Sequence, residues 1–209
     1  IAAVAAEALV RNDPEWAREN ATRFLISNEP RICRCGLEAL ANDTSRSAMA
    51  RIARQMNNRF SSVRTRAREI LEKHSRNPLA RLRVLGVIDD NLLRRFGTNW
   101  RGLSELARLI GNLKAKEKAA YLNGMVSHPR REVATPSAWA AAELAMPITF
   151  RAVLDQAIVL SHRSKMSDPN MEDTEIQFAL LLQTFAKQPY RVIESYLCRR
   201  FGRASAPTL

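Results

Sequence analysis

The chain has 209 residues, of which 46% are hydrophobic and 26% are charged, the balance of a folded globular protein. Its three cysteines, an odd number without a regular framework, argue against a secreted disulfide scaffold. The formal net charge of +12 favours an anionic partner such as nucleic acid, an acidic protein or a membrane surface. An Arg-rich composition alone would also produce this charge, since Arg outnumbers Lys by 27 to 6.

The apolar opening, IAAVAAEALV, is too short to span a bilayer, and no uncharged run of about 18 residues follows it. It also lacks the basic region and the cleavage signature of a secretory signal. We therefore expect a soluble, cytoplasmic protein without a membrane span. A start at Ile1 instead of Met is compatible with a fragment or a processed form.

Helical periodicity dominates the first third of the chain, and no alternating strand pattern lasts long enough to compete with it. After a first helix, Asp13 and Pro14 have the residue types of an N-cap and a first helical position. Turns rich in Asn then separate helices short enough to form hairpins. The predicted helices are 2–11, 14–27, 30–41, one that ends near 57–58, and one within 59–76.

A repeat of 31 residues runs through these helices. The aligned sets are Ile1, Ala5, Ala8 and Leu9, then Ile32, Gly36, Ala39 and Leu40, then Val63, Ala67, Ile70 and Leu71. Each set has a β-branched residue, a small residue four positions later, and an apolar pair. The small residue lets two helices approach closely, and the apolar residues fill the seam between neighbouring hairpins.

Over residues 1–76 the chain resembles a HEAT-like (armadillo/HEAT-type) repeat protein. The second helix of such a repeat often carries a Val-Arg pair, then Ala, then Leu. The matching residues here are Val63, Arg64, Ala67 and Leu71. The preceding unit departs from this order at Cys33, and a period of 31 is short for the family. The resemblance implies an all-α protein of stacked antiparallel helical hairpins, an α-solenoid; an irregular helical bundle is the alternative.

The repeat register is lost after Asn77, although helical patterns continue and the architecture is expected to become irregular. The predicted helices are 78–84, 89–96, 100–109, 114–126, 137–146, 147–161, 171–187 and 189–201. Two prolines and three charges make SHPRREVATPS, residues 127–137, the best linker candidate. We predict a repeat region over 1–126, this linker, and a C-terminal helical region over 138–201 that packs on the array or continues it.

The chain carries no common catalytic motif: it has no P-loop, no G-x-G-x-x-G, no G-x-S-x-G, no H-E-x-x-H and no C-x-x-C. His74, His128 and His162 lie near helix ends, where a favourable helix dipole or solvation explains them better than general-base chemistry. Cys33 and Cys35 lack a second pair to complete a zinc site, so we interpret the cysteines as buried or partly buried thiols. We expect no cofactor and no metal.

Basic residues are densest between Arg31 and Arg83, where thirteen Arg or Lys accompany four Asp or Glu, a local charge of +9. Positions three or four apart on a helix share a side, so the aligned arginines could line one surface and contact phosphates. The candidates on two successive helices are Arg51 and Arg54, then Arg64 and Arg68. No pattern here would read base edges, so we expect nucleic-acid binding to be independent of sequence.

Trp100 follows Arg94 and Arg95 and precedes Arg101. An aromatic ring among guanidinium groups could stack on a base, and it could equally be a core anchor flanked by surface charge. We include these four residues among the candidate binding residues.

Three functions compete. The first is a non-enzymatic scaffold whose basic surface binds an acidic protein or the nucleic-acid backbone. The second is an enzyme like the HEAT-like alkylpurine DNA glycosylases, which need a carboxylate beside aromatic residues. Trp100 and Glu105 are five apart and do not share a helical face squarely, so no family site residue carries over. The third is a structural segment of a larger assembly, which would self-associate through exposed repeat ends.

Overall fold

The computed structural model describes residues 1–93, 99–163 and 171–201, and every regular element in these ranges is helical. The all-α prediction is therefore confirmed for this part of the chain. The chain divides into two compact units, Ile1–Leu113 and Lys114–Leu209. None of the helices within the described ranges is both long and apolar enough to cross a membrane.

The first unit contains eight α-helices within its described residues, and short turns join most of them. They are α1 (Ala2–Asn12), α2 (Pro14–Glu19), α3 (Ala21–Leu25), α4 (Pro30–Leu40), α5 (Arg46–Gln55), α6 (Ser61–His74), α7 (Pro78–Val87) and α8 (Trp100–Asn112). A π-helical segment, Ile88–Leu93, follows α7 directly. The predicted helix 89–96 begins here, and its residues 94–98 lie outside the described ones.

Side-chain caps explain several of these helix starts. The carboxylate of Asp13 accepts a hydrogen bond from the Trp16 backbone N–H at 3.0 Å, with Pro14 in the first helical position, as the sequence predicted. Ser45 caps α5 in the same way, because its hydroxyl accepts from the Ala48 backbone N–H at 3.2 Å. Such caps satisfy backbone donors that have no partner within the helix.

The single helix expected over 14–27 is two short helices, α2 and α3, which meet at Asn20. The Asn20 side-chain amide donates to the Trp16 carbonyl oxygen at 3.0 Å. An asparagine amide that bonds to nearby backbone competes with the regular helical ladder, which accounts for the break.

The helices of the first unit pack in an ordered series. Helix α4 contacts α1, α3 and α6, and α6 in turn contacts α5, α7 and α8. The centre of this unit is filled by apolar side chains that are fully buried. Among them are Leu37, Leu40, Met49, Ile52, Met56, Ile70 and Leu71.

The 31-residue interval reappears as a physical contact. The guanidinium group of Arg59 donates to the Asn28 backbone oxygen at 3.1 Å and to its side-chain oxygen at 3.0 Å. These two residues are 31 positions apart and occupy equivalent turns, before α4 and before α6. Equivalent turns of two successive hairpins therefore lie side by side.

The second unit is described here by itself. After a left-handed backbone at Lys114, where α8 stops, residues Lys116–Gly124 form a 3-10 helix in place of the expected α-helix 114–126. The helices that follow are α9 (Arg131–Leu144), a 3-10 turn (Pro147–Thr149), α10 (Phe150–Arg163), α11 (Met171–Ala186) and α12 (Tyr190–Phe201). Helix α11 packs against both α9 and α10.

The stretch proposed as a linker, 127–137, is helical over residues 131–137, which begin α9. Pro136 lies inside that helix, where it removes one backbone donor and counts against a helix in any sequence-based prediction. Burial outweighs this cost, because α9 sets Val133, Ala138 and Leu144 into the core of the second unit.

Candidate anion-binding surface

Arg64 and Arg68, two of the predicted binding residues, form buried ion pairs instead of an open basic face. They lie on α6, and their side chains are only 14% and 16% exposed. The Glu105 carboxylate of α8 accepts a hydrogen bond from Arg68 Nε at 2.9 Å and lies 3.9 Å from Arg64 Nε. Arg68 also donates to Glu72 at 2.6 Å. We call Arg64, Arg68, Glu72 and Glu105 the Glu105 network.

Electrostatics within the Glu105 network follow from burial and pairing. Burial lowers the pKa of Arg64, and the charges of Arg101 and Arg108 add to this against the opposing charge of Glu105. Burial also acts to lower the pKa of Arg68, but its bonds to Glu72 and Glu105 outweigh burial and raise it. Glu105 is also the carboxylate that the sequence analysis considered, together with Trp100, for a glycosylase-type active site. It is committed to these two arginines.

Ion pairs also occupy other arginines of the basic segment. Arg66 forms a bidentate pair with Glu38, through contacts of 2.7 and 2.9 Å, and a further contact with Glu69 at 3.2 Å. Arg46 pairs with Asp90, and Arg31 pairs with Glu7 at 3.0 Å. Much of the local +9 charge is therefore used in holding helices together.

Arg51 and Arg54, the other predicted pair, lie on α5 and remain outside these ion pairs. Arg54 is exposed. Arg51 is half-buried, and its Nε atom has no hydrogen-bond partner among the described residues. Both stay candidates for binding an anion.

Trp100 and Arg101 begin α8 and are both half-buried. The guanidinium carbon of Arg101 lies 4.7 Å from the centroid of the Trp100 ring, a cation–π contact. One face of this ring is thus covered by the chain's own arginine. Arg94 and Arg95 lie outside the described residues.

A group of cations surrounds the turn 41–45, between α4 and α5. Its carboxylate, Asp43, has a pKa below the usual value. Burial would raise that pKa, but hydrogen bonds from Ser45 and the charges of Arg18 and Arg51 outweigh burial. Arg83 of α7 reaches the same turn and donates to the Thr44 carbonyl oxygen at 3.0 Å.

Lys73, the last-but-one residue of α6, lies beside this turn and is exposed. We define the basic surface by the five cations on α2, α5, α6 and α7. They are Arg18, Arg51, Arg54, Lys73 and Arg83. The sequence analysis predicted two of them as binding residues, Arg51 and Arg54 on α5. The others were missed because they come from separate helices and meet only in the folded chain.

A groove of about 440 Å³ opens within the basic surface, between the turn 41–44, the end of α6 and the start of α7. Its polar lining comes from Asn42, Thr44, Lys73, His74, Asn77 and Arg83. Concave sites of this size that combine apolar walls with a few polar groups are typical of small-molecule sites.

The three histidines differ in their surroundings. His74 ends α6, as predicted, but it is buried, with only 8% of its surface exposed. It is therefore not a solvated helix-end cation: burial lowers its pKa, and the charge of Lys73 adds to this, against the opposing charge of Asp43. His128 accepts a hydrogen bond from the Arg130 backbone N–H at 3.1 Å. The side chain of His162 lies outside the described residues.

Cys33 and Cys35 are buried free thiols in α4, which confirms the interpretation for these two residues. Burial raises the pKa of both thiols. Cys198 differs from the expectation, because it is an exposed free thiol on α12.

The chain matches no family model, and it matches no curated protein. Two engineered proteins with crystal structures resemble it. One is 17% identical with a TM-score of 0.40, over 87% of this chain and 85% of the other. The second is 18% identical with a TM-score of 0.44, over 93% of this chain and 53% of the other, so the chain spans about half of that protein's length.

Proposed function

We propose that the first unit is a non-enzymatic, HEAT-like helical-repeat scaffold that binds a polyanion through the basic surface. The partner would be the phosphate backbone of a nucleic acid or the acidic face of a protein. The observation that carries the proposal is the clustering of four cations from four helices around one turn, with Asp43 as the carboxylate of that turn and Arg54 exposed three residues after Arg51 on α5.

The repeat part of the proposal is supported by contacts between equivalent elements. Helix α4 packs between α1 and α6, and the Arg59–Asn28 contact joins equivalent turns at the repeat interval. A hairpin with two apolar faces cannot bury both by itself, so it stacks on its neighbours. Stacked hairpins present extended surfaces, which suits a scaffold.

The binding part of the proposal is supported by which cations remain available. Carboxylates take up Arg31, Arg46, Arg66 and Arg68. Arg54 and Lys73 are exposed, and Arg83 is exposed while one of its guanidinium nitrogens is anchored to the turn. Cations that are already anchored lose less conformational freedom when they bind an anion.

The test is binding of a labelled random-sequence duplex and a single strand to the intact chain, at low and moderate salt. We expect binding that falls steeply with salt, because phosphate contacts release counterions. The double variant Arg18→Glu/Arg54→Glu should weaken it at least about tenfold. Arg191→Glu reverses an exposed positive charge in the second unit, outside the basic surface, and should have little effect on binding.

Equal weakening by Arg191→Glu would mean that net charge, and not the basic surface, governs binding. If neither nucleic acid binds at low salt, the nucleic-acid version of the proposal fails. An acidic protein partner would then be sought by pull-down with the wild type against the double variant.

A further inference from the structure

We propose that the groove beside His74 binds a terminal phosphate group, that is, a phosphomonoester. Its carrier is either a small organic molecule or the phosphorylated end of a nucleic acid. This site lies within the basic surface and shares Lys73 and Arg83 with it, but it is concave and takes a single group. It does not depend on the proposed scaffold function.

The charges of the groove favour a dianion. Its lining includes two cationic residues, Lys73 near the end of α6 and Arg83 on α7. The nearby carboxylate of Asp43 would oppose an anion, but it accepts a hydrogen bond from Ser45 at 2.8 Å and lies within the fields of Arg18 and Arg51. A phosphomonoester carries a charge of about −1.5 to −2 at neutral pH, which matches two cations.

His74 supplies the second, independent observation. It lines the groove, its side chain is buried, and its Nε2 atom has no hydrogen-bond partner among the described residues. A buried polar atom left without a partner costs about 1–3 kcal/mol, so native structures normally provide one. Burial and the charge of Lys73 keep the ring neutral, and a neutral imidazole still offers one N–H donor. Because Nε2 itself has almost no accessible surface, a phosphate oxygen in the groove would become its partner only if the ring turned toward the ligand.

The shape of the groove leaves room for the rest of the ligand. Leu79 and Ala80 form part of its wall and present apolar surface to an organic group. The backbone N–H groups of these two residues already donate to Asn77, at 3.0 and 3.2 Å. The start of α7 is therefore capped from within, and the side chains of Lys73, His74 and Arg83 must bind the phosphate.

The test is isothermal titration of the full chain with inorganic phosphate, adenosine 5′-monophosphate and adenosine. We expect saturable binding of the two phosphate compounds and none of adenosine. The double variant Lys73→Gln/Arg83→Gln should raise Kd at least about tenfold, which is a loss of about 1.4 kcal/mol. Arg76→Gln, an exposed cation two residues after His74 and outside the groove lining, should leave Kd within about twofold.

An oligonucleotide with and without a 5′-phosphate separates the two carriers. Tighter binding of the phosphorylated form, with the difference lost in the double variant, supports the site with nucleic acid as carrier. The proposal is overturned if no phosphate compound binds at about 10 mM, or if Arg76→Gln weakens binding as much as the double variant does. The groove and the basic surface can fail separately, because Arg18 and Arg54 do not line the groove.

Discussion

Gly36 shows how one residue sets the distance between two helices. A Cβ atom built at this position would lie 2.9 Å from Leu25 Cγ, 2.9 Å from Phe24 Cβ and 3.0 Å from the Ala21 backbone oxygen. The Phe24 Cβ atom and the Ala21 backbone oxygen cannot move unless α3 itself shifts. The repeat pattern predicted a small residue here for close helix approach, and these distances give the reason.

We expect Gly36→Ala to destabilise the chain by about 1–3 kcal/mol, since overpacking outweighs the better helix propensity of alanine. The matched control is Gly86→Ala on α7, where nothing lies within 4 Å of the added Cβ. That change should stabilise by about 0.5–1 kcal/mol. Urea unfolding followed by circular dichroism measures both, and a stabilised Gly36→Ala variant would contradict the close approach.

The contact between α6 and α8 depends on the Glu105 network. One carboxylate with only 9% of its side chain exposed serves two arginines that are themselves largely buried. Breaking a buried ion pair by removing one partner leaves an uncompensated charge in the interior. Glu105 thus stabilises the contact between α6 and α8, a role that its position in the sequence does not predict.

We expect Glu105→Gln to lower the free energy of unfolding by about 3 kcal/mol, the low end for a broken buried pair, because Arg68 keeps its contact with Glu72. Glu7→Gln is the control: it removes the same charge from an exposed pair with Arg31 and should cost at most about 1 kcal/mol. Chemical unfolding of the two variants makes the comparison. Equal losses would show that the network has no special stability.

The limits of the helices could be predicted well from local signals, but their partners could not. Asp13, Pro14 and Pro30 mark helix starts through the first turn, where capping and proline geometry are local effects. Arg64 and Arg68 look like a free basic face from their spacing alone. Their pairing depends on Glu105, 41 and 37 positions away, and helical periodicity contains no information about contacts at that distance.

The groove and most of the basic surface were unpredictable for the same reason. The cations at the turn 41–45 come from four helices, and only packing brings them together. Segments where two local rules conflict were also missed: Pro136 argued against a helix that burial stabilises.

At the scale of the whole chain, the repeat explains an exposed apolar face on α1. The repeat positions Gly36 and Leu40 on α4, and Ala67 on α6, are buried between neighbouring helices. Their equivalents on α1, Ala5 and Leu9, are exposed. The buried residues of α1 are Ala3 and Ala6 instead, so these repeat positions lie on its exposed side.

We expect this α1 face to drive weak self-association of the chain, since the repeat position Leu9 is 39% exposed and the nearby Val4 adds apolar surface that is 59% exposed. Sedimentation velocity should show a rising average mass up to roughly 100 µM, in the range of weak contacts. Val4→Lys/Leu9→Lys should abolish it, because two charges cannot be buried in the seam without partners. Leu82→Lys, at an apolar position on α7 that is 68% exposed, should leave the self-association intact. A wild type that stays monomeric over this range, or a loss caused equally by Leu82→Lys, would show that the α1 face does not mediate the contact.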